Sequence, residues 1–193
     1  MAGTIYPFRC WTNGKRTLES RFSYPNEKLP ANALNMNQLS HFDAEGASRM
    51  VDVGGKQITH RVARASGRVR MAAETLKLVR DRKLLKGDVL EIARLAAIMA
   101  AKRTSELIPL CHALPLDTIA VSFDFPDAGT ISIEAEARAT ARTGVEMEAL
   151  TAVSTAALTI YDMCKSVDRE MVVEQIRLEE KSGGKSGHFL RKD

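Results

Sequence analysis

LDTIAVSFDFPDAGTISIEAEARATA, residues 116–141, decides the fold class of this chain. Apolar and polar residues alternate over residues 116–125 and again over residues 130–141, and this period of two is typical of β-strands with one buried face. The segment between them, PDAG at residues 126–129, is rich in turn-forming residues. The stretch therefore predicts an antiparallel β-hairpin closed by a four-residue turn.

Two helical patterns precede the hairpin. The first spans residues 71–83 and stops at Lys86-Gly87, and the second follows Asp88, whose side chain is suited to cap a helix. In the second helix we expect the apolar residues at helical spacing to form the buried stripe. They are Val89, Ile92, Leu95 and Met99.

A third helix and two further strands complete the pattern. The helix follows Thr143-Gly144 and covers residues 145–167, and strands are predicted over residues 56–69 and 173–178. Helices mixed with mostly antiparallel strands predict an α+β fold, in which a mostly antiparallel sheet packs against helices.

Residues 1–35 differ in composition from the rest of the chain. They hold three of the six prolines and show no apolar periodicity, whereas the sequence from Met36 onward is alanine-rich and regularly patterned. We therefore predict an N-terminal extension over residues 1–35, which we expect to be disordered, and one folded domain over residues 36–193.

Charge and composition restrict the class of function. The net charge of +4 mildly favours an anionic partner, either a nucleic acid or a phosphorylated small molecule. The three cysteines form no CxxC pair, so neither a disulfide framework nor a zinc knuckle is expected. No apolar run reaches the roughly 18 residues that cross a bilayer, and no signal-peptide core of roughly 7 to 15 apolar residues precedes Met36. We expect a cytoplasmic protein without a membrane role.

KSGGKSG, residues 181–187, combines a glycine pair with lysines and serines, which are groups that bind an oxyanion. Gly184-Lys185-Ser186 matches the end of a Walker A loop. Glu179 stands where that motif needs its first glycine, and no helical pattern follows the serine, so a P-loop is excluded. A flexible lysine-bearing tail and a phosphate-binding loop both stay open.

The other candidate residues also have ordinary structural explanations. His112 lies between two prolines in IPLCHALPL and needs either a backbone partner or a function, and its neighbour Cys111 is poorly placed to share a metal with it. Asp162 and Lys165 share a helix face, which gives either a weak surface ion pair or an acid and base in a site. Glu146, near the start of the same helix, is explained by the helix dipole.

Together these motifs resemble the MoaC family of molybdenum cofactor biosynthesis. The resemblance covers residues 37–190, and Ala113 stands where the family usually has proline. It is carried, in chain order, by MVDVGGK, KGDVLEIARLAAIMAAKRTSELIPLCH, RTGVEMEAL, LTIYDMCKSVD and KSGGKSG.

The resemblance implies a ferredoxin-like α+β sandwich that forms a homohexamer, a trimer of dimers, with active sites at subunit interfaces. It implies a lyase that converts 3',8-cyclo-7,8-dihydroguanosine triphosphate to cyclic pyranopterin monophosphate with release of pyrophosphate. We expect no cofactor, metal or nucleic acid. The residues implied in catalysis are Asp162, Lys165, Lys86 and His112. Those implied in substrate contact are Leu110, Cys111, His112, Met147, Glu148, Lys181 and Lys185.

A non-catalytic module for nucleotides or nucleic acid is the alternative. The lysine-rich end of the chain fits such a module, but the aromatic residues of the folded domain are scattered and offer no platform for stacking bases. A third possibility is a catalytically silent member of the family that assembles with a partner enzyme.

Overall fold

The structure is a computed structural model that describes residues 10–12, 15–17, 47–85 and 87–192. The chain divides into two compact units, residues 1–39 and 40–193. In the first unit, β1 (Cys10–Thr12) pairs antiparallel with β2 (Lys15–Thr17). The rest of the predicted extension, residues 1–35, lies outside the described residues, so its disorder stays a prediction.

The second unit is an α+β sandwich, as predicted. Its described strands form one antiparallel sheet, and its chain order of strand, helices, two strands, helix and strand is the ferredoxin-like βαββαβ arrangement. The strands are β3 (Thr59–Arg70), β4 (Leu116–Asp124), β5 (Thr130–Ala141), β6 (Val172–Ser182) and β7 (Phe189–Leu190). The helices are α1 (Ala73–Arg80), α2 (Val89–Ala101), α3 (Thr104–Leu107) and α4 (Glu146–Cys164). The sheet order is β4-β5-β3-β6-β7.

The predicted hairpin is confirmed. β4 and β5 pair antiparallel, and in the turn between them the Gly129 N–H donates to Asp127 Oδ1 at 2.7 Å. The inward face of β5 carries mostly small residues, and on the neighbouring strand Gly67 lies directly under Val153 of α4, where a Cβ would overlap a valine methyl. Small residues on the sheet therefore let α4 pack close to it.

The buried face of α2 differs from the prediction. Val89 is buried, but Ile92, Leu95 and Met99 are 45%, 56% and 46% exposed. The residues that α2 buries are its alanines, because a flat alanine face allows close packing on α4. The larger apolar residues are left on the outer surface. The buried alanines are Ala93, Ala97, Ala100 and Ala101.

The segment KSGGKSG belongs to the sheet and is not a free tail. β6 extends to Ser182 and so includes the first two residues of the motif, and the chain then turns into β7. Phe189 pairs with Lys181 across this turn. The motif is therefore the connection of a β-hairpin, held at both ends by strand pairing.

Candidate active site

The turn of KSGGKSG has a backbone conformation that favours glycine. Gly183 and Gly184 have φ values of 98° and 73°, in the region that side chains rarely adopt. A Cβ on Gly183 would overlap the His60 carbonyl oxygen, and one on Gly184 would overlap the Arg61 guanidinium. The glycine pair therefore lets the turn lie directly on the first residues of β3.

Arg61 fastens this turn to the end of β5. Its side chain is buried, and its guanidinium donates to three backbone carbonyls: Gly183 at 3.0 Å, Arg142 at 3.3 Å and Ala141 at 3.4 Å. The planar guanidinium suits several acceptors at once. Two segments that are distant in sequence are thereby held on either side of one side chain.

A cavity of about 640 Å³ opens beside Arg61. Lys181 Nζ lies 2.9 Å from Glu146 Oε1 in its wall, and both side chains are largely buried, so Glu146 fixes the position of the ammonium. Positive groups outnumber this carboxylate, which makes the cavity suited to an anion. The cationic residues that line it are Lys56, Arg61, Arg142, Lys181 and Lys185.

A second cavity of about 290 Å³ adjoins the first. The two share Lys56, Thr143, Gly144 and Glu146 in their linings. The structure thus brings the predicted substrate-contact segments to one place, although they come from a loop and from the first turn of α4. The predicted contact residues lining this second cavity are Leu110, Cys111, His112, Met147 and Glu148.

His112 has a defined tautomer in this cavity. Its Nε2 lies 2.9 Å from the Val51 carbonyl oxygen, and because a carbonyl only accepts, Nε2 carries the proton. In the tautomer that carries its single proton on Nε2, Nδ1 is an acceptor. The backbone partner that a structural histidine requires is therefore present, and it also orients the ring beside the cavity.

Glu148 is the buried carboxyl group of the second cavity, with 4% of the residue exposed. Burial raises the pKa of Glu148, and the nearby Glu146 carboxylate adds to the rise. Burial likewise raises the pKa of the Cys111 thiol, and Glu148 adds to it. The cavity therefore favours protonated, uncharged forms of both groups.

Replacing Glu148 with glutamine is expected to stabilise the protein at alkaline pH. Since the folded pKa lies above the unfolded one, the stability that Glu148 contributes is fully present below the unfolded pKa and is lost as the pH rises through the folded pKa. Glutamine carries no charge, so the gain should be roughly 1–3 kcal/mol at pH near 8 and vanish near pH 4. Urea unfolding of the wild type and the variant at these two pH values measures the gain in stability. Exposed Glu106→Gln serves as the control, and a gain independent of pH contradicts the prediction.

Asp162 and Lys165 lie away from both cavities in a single chain. They form an ion pair of 2.6 Å at the end of α4, with side chains 60% and 52% exposed, and this hydrogen bond raises the pKa of Lys165. Glu146 is at the other end of the same helix, roughly 24 Å away at about 1.5 Å per residue. One chain alone therefore does not join the pair to the cavities.

The structure describes some, but not all, of the remaining predicted site residues. Lys181 and Lys185 line the larger cavity, whereas Lys86 lies outside the described residues. Sequence reasoning missed Arg61, Lys56 and Arg142 as cavity residues. Lys56 and Arg142 stand in the GGK and RTG motifs, so these motifs could have indicated them as cavity residues. No motif marked Arg61.

Neither a metal centre nor a membrane span is found in the described part of the chain. Across residues 47–85 and 87–192, no three His, Cys, Asp or Glu side chains are grouped so that they could hold a metal ion. None of the helices described there is long and apolar enough to cross a membrane.

The fold and the cavities define a class: a ferredoxin-like α+β protein with a cation-rich double cavity where β3, β5 and β6 meet the start of α4. The sequence model of the MoaC family matches residues 50–184. The chain belongs to the MoaC family, as its motifs predicted.

Curated relatives match about four fifths of this chain. A protein of Desulfitobacterium hafniense is 58% identical over 156 residues, which are 81% of this chain and 96% of the relative. One of Chloroflexus aurantiacus is 60% identical over 156 residues, 80% of this chain and 96% of the relative. Both are named cyclic pyranopterin monophosphate synthase. A relative in Mycobacterium tuberculosis, named cyclic pyranopterin monophosphate synthase 3, is 56% identical over 155 residues, 80% of this chain and 88% of the relative.

Proposed function

We propose that this chain is a cyclic pyranopterin monophosphate synthase, a lyase that rearranges the cyclised GTP intermediate and releases pyrophosphate. The observation that carries the proposal is the meeting of the LCH, VEME and KSGGKSG segments around two adjoining cavities. The high identity to relatives with this name supports it. We place the enzyme in the cytoplasm, without a metal or cofactor.

The larger cavity binds the triphosphate in this proposal. Lys56, Arg142, Lys181 and Lys185 supply positive charge around a space large enough for a polyphosphate. Lys181 is already fixed by Glu146, and a triphosphate with several negative charges competes with that single carboxylate for the ammonium. When a ribose hydroxyl attacks the α-phosphorus, these cations stabilise the charge on the leaving pyrophosphate.

The smaller cavity binds the purine-derived ring. Leu110 and Met147 provide apolar surface, and Glu148, whose pKa is raised by burial, is a hydrogen-bond donor to a ring carbonyl or nitrogen when it is protonated. His112 offers Nδ1 as an acceptor for a ring or ribose proton. The ring and the triphosphate are thus held in separate but continuous spaces.

Asp162 and Lys165 complete the site from a second subunit in this proposal. The length of α4 separates them from the cavities of their own chain, so a shared site requires another copy. The exposed apolar residues Ile92, Leu95 and Met99 supply surface for association. We propose a homohexamer, a trimer of dimers, in line with the family resemblance. Asp162 and Lys165 then act as acid and base in ring opening and closure, and the family resemblance implies a catalytic role for Lys86 as well.

Direct turnover tests the proposed function. The purified full chain, given the cyclised GTP intermediate, should release equal amounts of cyclic pyranopterin monophosphate and pyrophosphate, with the D. hafniense relative as the positive control. Absence of product where the relative turns over overturns the proposal. The non-catalytic alternative instead predicts DNA or RNA binding that weakens steeply with salt.

A further inference from the structure

Asp168 ties the loop after α4 to the start of α1. Its Oδ2 accepts the Ala72 N–H at 2.9 Å, its Oδ1 accepts the Glu170 N–H at 3.0 Å, and the Thr75 hydroxyl bonds to the same carboxylate. Ala72 is the N-cap of α1 and has no side-chain oxygen to cap it. Asp168 therefore supplies the cap from a distant part of the chain.

The same loop is also fixed to α4 itself. The N–H groups of Val167 and Asp168 donate to the Cys164 carbonyl at 2.9 and 3.1 Å, and the Tyr161 hydroxyl donates to the Arg169 carbonyl at 3.2 Å. The chain thus reverses direction in a short loop bonded to α4 on one side. Asp168 provides the bond to α1 on the other.

Lys165 lies at the end of α4, directly before this loop. It is the C-cap residue of α4, with φ −58° and ψ −17°, and its contact with Asp162 depends on the helix continuing to that residue. Helix ends fray unless neighbouring groups hold them, and both side chains of the pair are mostly exposed. The geometry of the pair therefore depends on the backbone that follows it.

We infer that Asp168 is a positioning residue whose carboxylate, by bonding the loop to α1, keeps the last turn of α4 helical and the Lys165 ammonium on Asp162. Its effect on catalysis rests on the proposed function, whereas its effect on the ion pair does not. Asp168 itself touches neither the cavities nor the pair.

The hydrogen bonds of this link favour the charged form of Asp168. The hydrogen bond from the Ala72 N–H lowers the pKa of Asp168, with smaller contributions from the Glu170 N–H and the Thr75 hydroxyl. Lys165 faces Asp162 and, less strongly, Tyr161. Because the folded pKa of Asp168 is depressed, the link is fully present above the unfolded pKa and is lost as the pH falls through the folded one. It is therefore present at neutral and alkaline pH.

The test compares Asp168→Ala and Asp168→Asn with a matched control, Asp127→Ala. Asp127 also accepts a backbone N–H, from Gly129 at 2.7 Å, but it lies in the turn between β4 and β5. The pKa of Lys165, followed by NMR and assigned with Lys165→Arg, should fall toward that of a free lysine in Asp168→Ala, fall partly in Asp168→Asn and stay unchanged in Asp127→Ala. Turnover kcat should fall about 10–100-fold in Asp168→Ala, with KM changed less than about twofold.

The outcomes separate positioning from general stability. An unchanged Lys165 pKa in folded Asp168→Ala overturns the inference, and so does an equal loss of kcat in Asp127→Ala. If Asp168→Ala does not fold, Asp168→Asn, which keeps one acceptor oxygen, decides the same question. If the wild type forms no product, the proposed function fails, and the Lys165 pKa still decides whether Asp168 positions the pair.

Discussion

Replacing Asp162 with asparagine is expected to reduce turnover by roughly 10²–10⁴-fold, the usual contribution of a positioned acid or base. Asparagine has almost the same shape as aspartate but accepts no proton near neutral pH. Because the Asp162 side chain is 60% exposed, the substitution should change the free energy of unfolding by less than about 0.5 kcal/mol. Activity is therefore lost while fold and assembly persist.

Single-turnover product formation, circular dichroism and gel filtration together check this result. Asp124→Asn, at an exposed aspartate of the hairpin, is the matched control and should keep wild-type turnover. If Asp162→Asn keeps nearly full turnover, Asp162 and Lys165 have no catalytic role and form an ordinary surface ion pair, worth about 0–1 kcal/mol.

Mixed oligomers test whether the site is shared between subunits. Asp162→Asn subunits keep intact cavities, and His112→Ala subunits keep an intact ion pair. If each site takes its cavity from one subunit and its pair from another, random mixing restores about a quarter of the sites. If each chain builds its own site, mixing two inactive variants restores nothing. The separation along α4 favours the first result.

Prediction from the sequence was most accurate where the period of apolar residues alone determines the secondary structure. Alternation over residues 130–141 predicted β5 with its observed bounds, because a half-buried strand has to alternate. The same reasoning failed for α2, where Ile92, Leu95 and Met99 lie outside. Periodicity marks which residues share a face, but it does not distinguish a face that packs on the core from one that faces another molecule.

The role of Arg61 in the cavity could not be predicted from the sequence. The quoted motifs included Lys56 and Arg142, but Arg61 lies in an alternating strand, where an arginine ordinarily faces solvent. Its burial depends on the carbonyls of Ala141 and Gly183, which reach it only through the pairing of β3 with β5 and β6. Because these contacts join residues that are distant in sequence, no local sequence pattern predicts the burial of Arg61.

Replacing Gly183 with alanine is expected to lower stability by roughly 2–5 kcal/mol and to weaken binding of the triphosphate substrate by at least about tenfold. A side chain at φ 98° is strained, and its Cβ would overlap the His60 carbonyl oxygen, so the turn has to move away from β3. That movement takes the Gly183 carbonyl from Arg61 and leaves a buried donor without its acceptor. Lys181 and Lys185, on either side of the turn, are displaced with it.

Gly187→Ala is the matched control for this prediction. Gly187 also has a positive φ, 69°, but a Cβ there would meet no heavy atom within 4 Å, so only the backbone strain applies, about 1 kcal/mol. Urea unfolding and the substrate Kd measure both variants. Equal losses at the two positions would mean that strain alone explains the glycines of KSGGKSG. A much larger loss at Gly183 would mean that the glycine allows close packing on β3. The positions of Lys181 and Lys185 would then depend on the same contact that orders the turn.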